Sequence, residues 1–297
     1  MTDKPNKLKI AFLGTPEFAI KILEEMKKGG LTPSLIITTP DKPKGRKLAL
    51  TPPPVKMWAD KEKILTLQPN KLNDIYTDLK KGDWDLFVLA AFGKIIPKEI
   101  VDIPKHGILN VHPSILPEYR GPSPIQSAIL SGDTELGVTI MLLDEELDHG
   151  PIIATEKLPL SDNLNYEEAE EKLAKLGGKL LVRVALPWTK EKIKTVEQDH
   201  KRATFTVKVK KDDALIDWND NPEIIERRIR AFYPWPGAYF FLDKDGKPFR
   251  VIVTKASLKG DKLHLEKVKP EGKNEMTFSD FIKGNPELKL QIPGHIL

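Results

Sequence analysis

The chain has 297 residues, of which 40% are hydrophobic and 30% charged, with a formal net charge of +4 and no cysteine. That balance reads as soluble and globular, and it excludes disulfides and thiolate chemistry. Two domains are expected at this length, and no apolar run approaches the roughly 18 residues that a membrane span needs.

The N-terminus, MTDKPNKLKIAFLG, is polar and runs into a strand without the layout of an export signal, so a cytoplasmic protein is expected. LKIAFLG (8–14) is a short apolar run before a Gly-Thr-Pro turn. The next segment places Phe18, Ile22 and Met26 at helical spacing. Pro16 suits a first helical position, and Gly29 and Gly30 suit a stop. Further strands are expected at 33–39, 84–97, 106–113 and 136–143. Continuous Ile/Val/Leu runs separated by helical patterns indicate an α/β fold with a doubly wound, mainly parallel sheet. Such folds bind ligands outside the carboxyl ends of the strands. Residues 165–187 place Ala169, Leu173, Leu176 and Leu180 on one face of a closing helix. A polar stretch follows and reads as a linker. Asn221 and Pro222 then open another helix, and AYFFLDKDGKPFRVIV reads as a hairpin turning at Asp245-Gly246. The expected domains are 1–188, a linker over 189–204, and a small β-rich, barrel-like unit over 205–297.

One strand ends unusually. GILNVHPSILPEYRGPSPIQ (107–126) carries Asn110 and His112 two residues apart, then breaks into a Pro- and Gly-rich loop. Alternate strand residues share a face, so the amide and imidazole project together while Leu109 and Val111 face the other way. At the carboxyl end of a parallel strand they would face a ligand crevice. The bland account is a satisfied core Asn and a loop-end His. Asp148, in a turn before Gly150, could hold the imidazole and favour its protonated form. The bland account there is a turn Asp bonded to its own backbone, and Asp144 is the weaker alternative carboxylate. Ser114 lacks the G-x-S-x-G elbow of a serine nucleophile. The six histidines show no paired ligand spacing, so no metal is expected. FLGTPEF lacks the further Gly and the Lys of a phosphate loop. Residues 40–56 are basic and proline-rich, carrying Lys42, Lys44, Arg46, Lys47 and Lys56. Such a long insertion either clamps a phosphate backbone or is a solvated surface loop. The remaining positive excess lies in 201–297, where charge alone fits a solvated surface better than a polyanion site.

These segments together resemble the methionyl-tRNA formyltransferase family over most of the chain. The resemblance rests on FLGTPEFA, TTPDKPKGRKLALTPPPVK, the long stretch from LNVHPSILPEYRG to LDHGPI, and IDWNDNPEIIERRIRAFYPWPGAYF. It implies a Rossmann-like formyltransferase domain followed by an OB-like, tRNA-binding β-barrel. It implies 10-formyltetrahydrofolate as donor, the α-amine of methionyl initiator tRNA as acceptor, and a monomer without membrane attachment. Asn110, His112 and Asp148 would be catalytic, Asn110 and His112 donating to the oxyanion formed by direct amine attack and Asp148 orienting His112 and helping to remove the amine proton. Ser114, Ile115, Leu116 and Pro117 would form the folate segment, with Ala90, Phe92, Gly93 and Gly150 beside it. Ile115 replaces the family's usual Leu, and His149 stands where a small residue is common. Lys42, Lys44, Arg46 and Lys47 would meet tRNA, with Arg46 the foremost contact. Arg227, Arg228 and Arg230 share one helix and cannot all face a groove, so some are expected in internal ion pairs. The alternatives are formyl transfer to a small amine, such as an amino-sugar nucleotide, and an RNA-binding protein with an inactive α/β domain.

Overall fold

The computed structural model describes residues 8–44, 48–160 and 164–291. The apolar run at the start forms β1 (Ile10–Gly14), and α1 (Glu17–Lys28) follows with Phe18, Ile22 and Met26 buried. Pro16 is the residue just outside that helix. The N–H groups of Gly29 and Gly30 close it by donating to Glu25 O and Lys27 O, each at 3.0 Å. β2 (Leu35–Ile37) is shorter than its apolar run. The basic segment contains a hairpin, β3 (Lys42–Lys44) paired antiparallel with β4 (Ala49–Thr51), and its prolines end in α2 (Pro54–Glu62). β5 (Leu65–Leu67) and α3 (Tyr76–Lys80) lead to β6 (Leu86–Ala90). That strand stops well before residue 97 because Ala91 and Gly93 both take positive φ. α4 (Lys98–Val101), β7 (Ile108–His112), α5 (Pro124–Ser131), β8 (Glu135–Leu142), β9 (Ile152–Pro159) and α6 (Tyr166–Thr189) follow.

The first sheet has the order β5-β2-β1-β6-β7-β8-β9. From β5 to β7 all neighbours are parallel, and β8 is antiparallel to β7. Side chains alternate between two cores. Ile10, Phe12, Leu86, Val88, Leu109 and Val111 pack on one face against α1 and α6. Ala11, Leu13, Phe87 and Ile108 pack on the other with Leu79 and Ile100. Burial on both faces is why these strands are continuous apolar runs. Each large apolar side chain so buried contributes about 1.5–3 kcal/mol. Gly14 pairs with Ala90 and Leu89 with Asn110, so the carboxyl ends of β1, β6 and β7 share one edge.

Packing divides the chain differently from its composition. Residues 170–206 belong to the first unit, and residues 123–135 and 159–169 join 207–297 in the second. The polar stretch expected as a linker is docked by its backbone. Ile152 and Val196 exchange two N–H···O bonds of 2.8 Å, Arg120 N donates to Thr204 O at 2.9 Å, and Thr206 N donates to Arg120 O at 2.7 Å. Residues 123–135 join the second unit because Leu130 packs against Ala214, Phe232 and Tyr239.

In that unit Asn221 caps α7 (Pro222–Ala231), its side chain accepting from Glu223 N. β10 (Tyr239–Lys244), β11 (Lys247–Lys259), β12 (Lys262–Pro270) and β13 (Met276–Thr277) form an antiparallel sheet in that order, and α8 (Phe278–Lys283) follows. The expected hairpin turn is present, with Asp245 at φ 55° and Gly246 at φ 75°. Two consecutive positive φ values match the right-handed strand twist. A bulge between Val253 and Ala256 bends the long β11 over a core of Ile225, Ile229, Phe240, Val251 and Phe281.

Candidate active site

β7 delivers Asn110 and His112 to the carboxyl edge of the sheet, 6% and 4% exposed. Asp148 comes from the turn between β8 and β9 and is also buried. Asn110 Nδ2 donates to Asp148 Oδ1 at 3.2 Å, and the Gly121 N–H donates to Oδ2 at 2.8 Å. His112 Nδ1 lies 3.7 Å from Oδ2. Its Nε2 lies 3.0 Å from Tyr119 O. A carbonyl only accepts, so Nε2 carries a proton and Nδ1 faces the carboxylate. Two side chains of β7 and the backbone N–H of Gly121 thus meet at the Asp148 carboxylate.

Two glycines make this possible. Gly121 has φ +109°, and a Cβ there would lie 2.9 Å from Thr206 O. Only glycine brings that N–H to Asp148 without displacing backbone. A Cβ on Gly150 would lie 2.0 Å from Leu142 O, so the chain returns past β8 only without a side chain. Asp148 itself sits at φ +47°, a region that Asp tolerates better than most residues.

Asp144 is engaged elsewhere. It accepts from His149 Nδ1 at 2.7 Å and from Glu146 N at 3.0 Å, while the His149 ring stacks on His200 with centroids 4.1 Å apart. The Ser114 hydroxyl donates to Glu118 O at 2.6 Å. Thr139 Oγ1 donates to Ser114 O at 2.7 Å and accepts from Leu116 N at 3.2 Å, pinning the start of the 114–117 segment. Leu116 is buried, and Ile115 leans over Gly137. Ala90 is buried at the end of β6, and the Phe92 side chain is committed to the core, which leaves its backbone and that of Gly93 at the edge. Beside them Lys94 donates to Pro69 O and Asn70 O, each at 2.8 Å. Partial burial lowers its ammonium below the ordinary lysine range, and the Lys42 charge adds to this.

Lys42 and Lys44 are exposed on β3, whereas Arg46 and Lys47 lie outside the described residues. Arg227, Arg228 and Arg230 pair with Glu223, Asp220 and Glu226 at 3.6, 3.3 and 2.7 Å. Internal pairs are expected for some of these arginines, and all three make one. Sequence reasoning missed Tyr119 and Gly121, which act through their backbone, and Gln198, which lay in the apparent linker yet is 4% exposed and donates to Asp148 O. No side-chain spacing marks any of the three. Among the described residues, no group of three or more His, Asp and Glu could hold a metal ion, and no helix is long and apolar enough to cross a membrane.

The formyl transferase family matches residues 8–185, and the formyl transferase C-terminal domain matches residues 208–262. The methionyl-tRNA formyltransferase of Halalkalibacterium halodurans is 37% identical, with 93% of this chain and 95% of that protein covered. That of Chloroflexus aurantiacus is 42% identical, covering 82% and 79%. Among solved structures, a methionyl-tRNA formyltransferase from Clostridium thermocellum superposes with a TM-score of 0.58 at 19% identity, covering 89% of this chain and 98% of that one. A 4-N formyltransferase from Francisella tularensis gives 0.65 at 20%, covering 85% and 100%. The structural likenesses carry the fold. The sequence identities, sustained over about four-fifths or more of both partners, place this chain in the methionyl-tRNA formyltransferase family.

Proposed function

We propose that the protein transfers the formyl group of 10-formyltetrahydrofolate to the α-amine of methionyl initiator tRNA. The observation that carries the chemistry is the buried Asp148 carboxylate, held by Asn110 and Gly121 and faced by His112 Nδ1. A free α-amine titrates near about 8, so a useful neutral fraction exists at neutral pH. The amine attacks the formyl carbon and negative charge grows on the formyl oxygen. Asn110 Nδ2 has two N–H groups and gives one to Asp148, which leaves the other for that oxygen. Such a donor is worth about 3 kcal/mol in the transition state. Asp148 takes the proton the amine sheds, directly or through water, and returns it to the nitrogen that leaves as the carbon–nitrogen bond breaks. His112 Nε2–H is held by Tyr119 O, so the oxyanion donation expected of this ring falls to Asn110, and Nδ1 accepts from Asp148 once the carboxylate has taken the proton. The transfer is direct, with no acyl-enzyme. The pinned 114–117 segment and the 90–93 turn line the sheet edge where backbone groups can read the folate ring. Lys42 and Lys44, with Arg46 and Lys47 from the same basic stretch of the sequence, would contact the tRNA backbone. We further propose a cytoplasmic monomer.

The test is competition between acceptors. With labelled formyl donor, methionyl initiator tRNA is expected to be formylated far faster than free methionine or an amino-sugar nucleotide. Preference for the sugar amine would replace the acceptor while leaving the chemistry. Transfer to neither would leave a binding protein.

A further inference from the structure

The turn bearing Asp148 is held from behind by a buried amide. Gln198 Nε2 donates to Asp148 O at 3.0 Å and to Gly150 O at 2.7 Å. Its Oε1 accepts from Arg120 Nε at 3.2 Å and from Nη2 at 2.7 Å. The orientation of this amide is fixed by chemistry. A guanidinium only donates, so it must meet the oxygen, and both N–H groups are left for the two carbonyls. Arg120 is 3% exposed, and its Nη2 also lies 2.9 Å from His200 Nδ1, which is therefore the unprotonated nitrogen of that ring. The stack of His200 on His149 ties the same group to Asp144.

None of these contacts touches the Asp148 carboxylate, which is already served by Asn110 and Gly121. They act on its backbone. Asp148 adopts a φ that L residues avoid, and one amide draws in the carbonyls on both sides of His149. We propose that Gln198, oriented by Arg120, is a positioning residue for Asp148: it holds the Asp148–Gly150 turn in its left-handed conformation so that the carboxylate points between Asn110 and His112. This rests on the reading of Asp148 as the acceptor of the amine proton. Without Gln198 the turn relaxes and the carboxylate leaves its aim, while the 90–93 and 114–117 segments and Lys42 and Lys44 keep their own contacts.

The experiment uses the full chain with Gln198→Glu and Gln198→Met, each alone and combined with Asp148→Asn, measuring kcat, KM for both substrates and the thermal midpoint. Gln198→Glu keeps the Arg120 contact but offers the carbonyls an oxygen in place of two donors. Both single variants are expected to lose kcat on the order of tenfold to a hundredfold, as for a small misplacement of a reacting group, with KM nearly constant. In the Asp148→Asn background the same changes are expected to cost less than about threefold, because the group they position is gone. Parent-like kcat in both single variants, an undiminished loss in the Asp148→Asn background, or a lowered midpoint with unchanged kcat would each overturn the proposal. If Asp148→Asn alone keeps parent turnover, the underlying reading of Asp148 fails instead, and that variant reports it separately.

Discussion

Replacing Asp148 by Asn removes a charge while leaving the shape, and its consequences can be worked out from the contacts. Both carboxylate oxygens receive an N–H, from Asn110 at 3.2 Å and from Gly121 at 2.8 Å. An amide has one oxygen. The Gly121 N–H is backbone and cannot turn away, so the new oxygen must serve it. The new NH2 then faces Asn110, whose own amide has to flip and offer its oxygen. Asn tolerates left-handed φ at least as well as Asp, so the turn itself is not disturbed. The loss in stability is the difference between charge-assisted and neutral hydrogen bonds, about 1 kcal/mol. For a chain of this size that corresponds to roughly 2 °C in Tm. The loss in rate is far larger. Without the base, transfer slows about 10²- to 10⁴-fold. The flipped Asn110 no longer aims its spare N–H at the developing oxyanion, but that loss does not simply add, since the two groups act as a unit. We therefore expect kcat to fall about 10³-fold or more, with KM for either substrate little changed. A rapid-quench single-turnover assay with labelled formyl donor and methionyl initiator tRNA reads this directly. A fall smaller than about tenfold, or one matched by a collapse in thermal stability, would refute the base assignment.

Three other perturbations follow from named contacts. Gly150→Ala pushes a methyl to within 2.0 Å of Leu142 O, so the β8–β9 return must shift, and denaturant unfolding is expected to show a loss of about 1–3 kcal/mol; an unchanged midpoint would contradict the geometry. Lys42→Ala and Lys44→Ala are each expected to weaken tRNA binding uniformly and lower the slope of log K against log salt by about 1. An unaltered slope would place the RNA away from β3. Lys94, partly buried and near Lys42, is expected to release its proton at lower pH than the other lysines, seen by NMR titration of the reductively methylated protein. Its titration with the rest would show that burial does not weigh on it.

The sequence by itself determined the parallel sheet and the helix over Glu17–Lys28, because continuous apolar runs and 3.6-residue spacing are local patterns with local causes. It also determined that Asn110 and His112 project together, since that follows from the two-residue period of a strand. The Asp245-Gly246 turn was legible for the same reason. Helix α5 and the docked 189–206 stretch were not. One is short and owes its place to Leu130, whose partners Ala214, Phe232 and Tyr239 lie far along the chain; the other is polar and held mainly by backbone bonds that any composition could make. The sequence preferred Asp148 to Asp144 for its place before Gly150, but only the tertiary structure decided what each carboxylate meets. The two are separated by four positions, yet one is drawn to His149 and the other to Asn110 and Gly121. That choice depends on the left-handed turn at Asp148 and on donors at Gly121 and Gln198, 27 and 50 positions away. Contacts of that separation leave no period in the chain, and only folding brings them within hydrogen-bond reach.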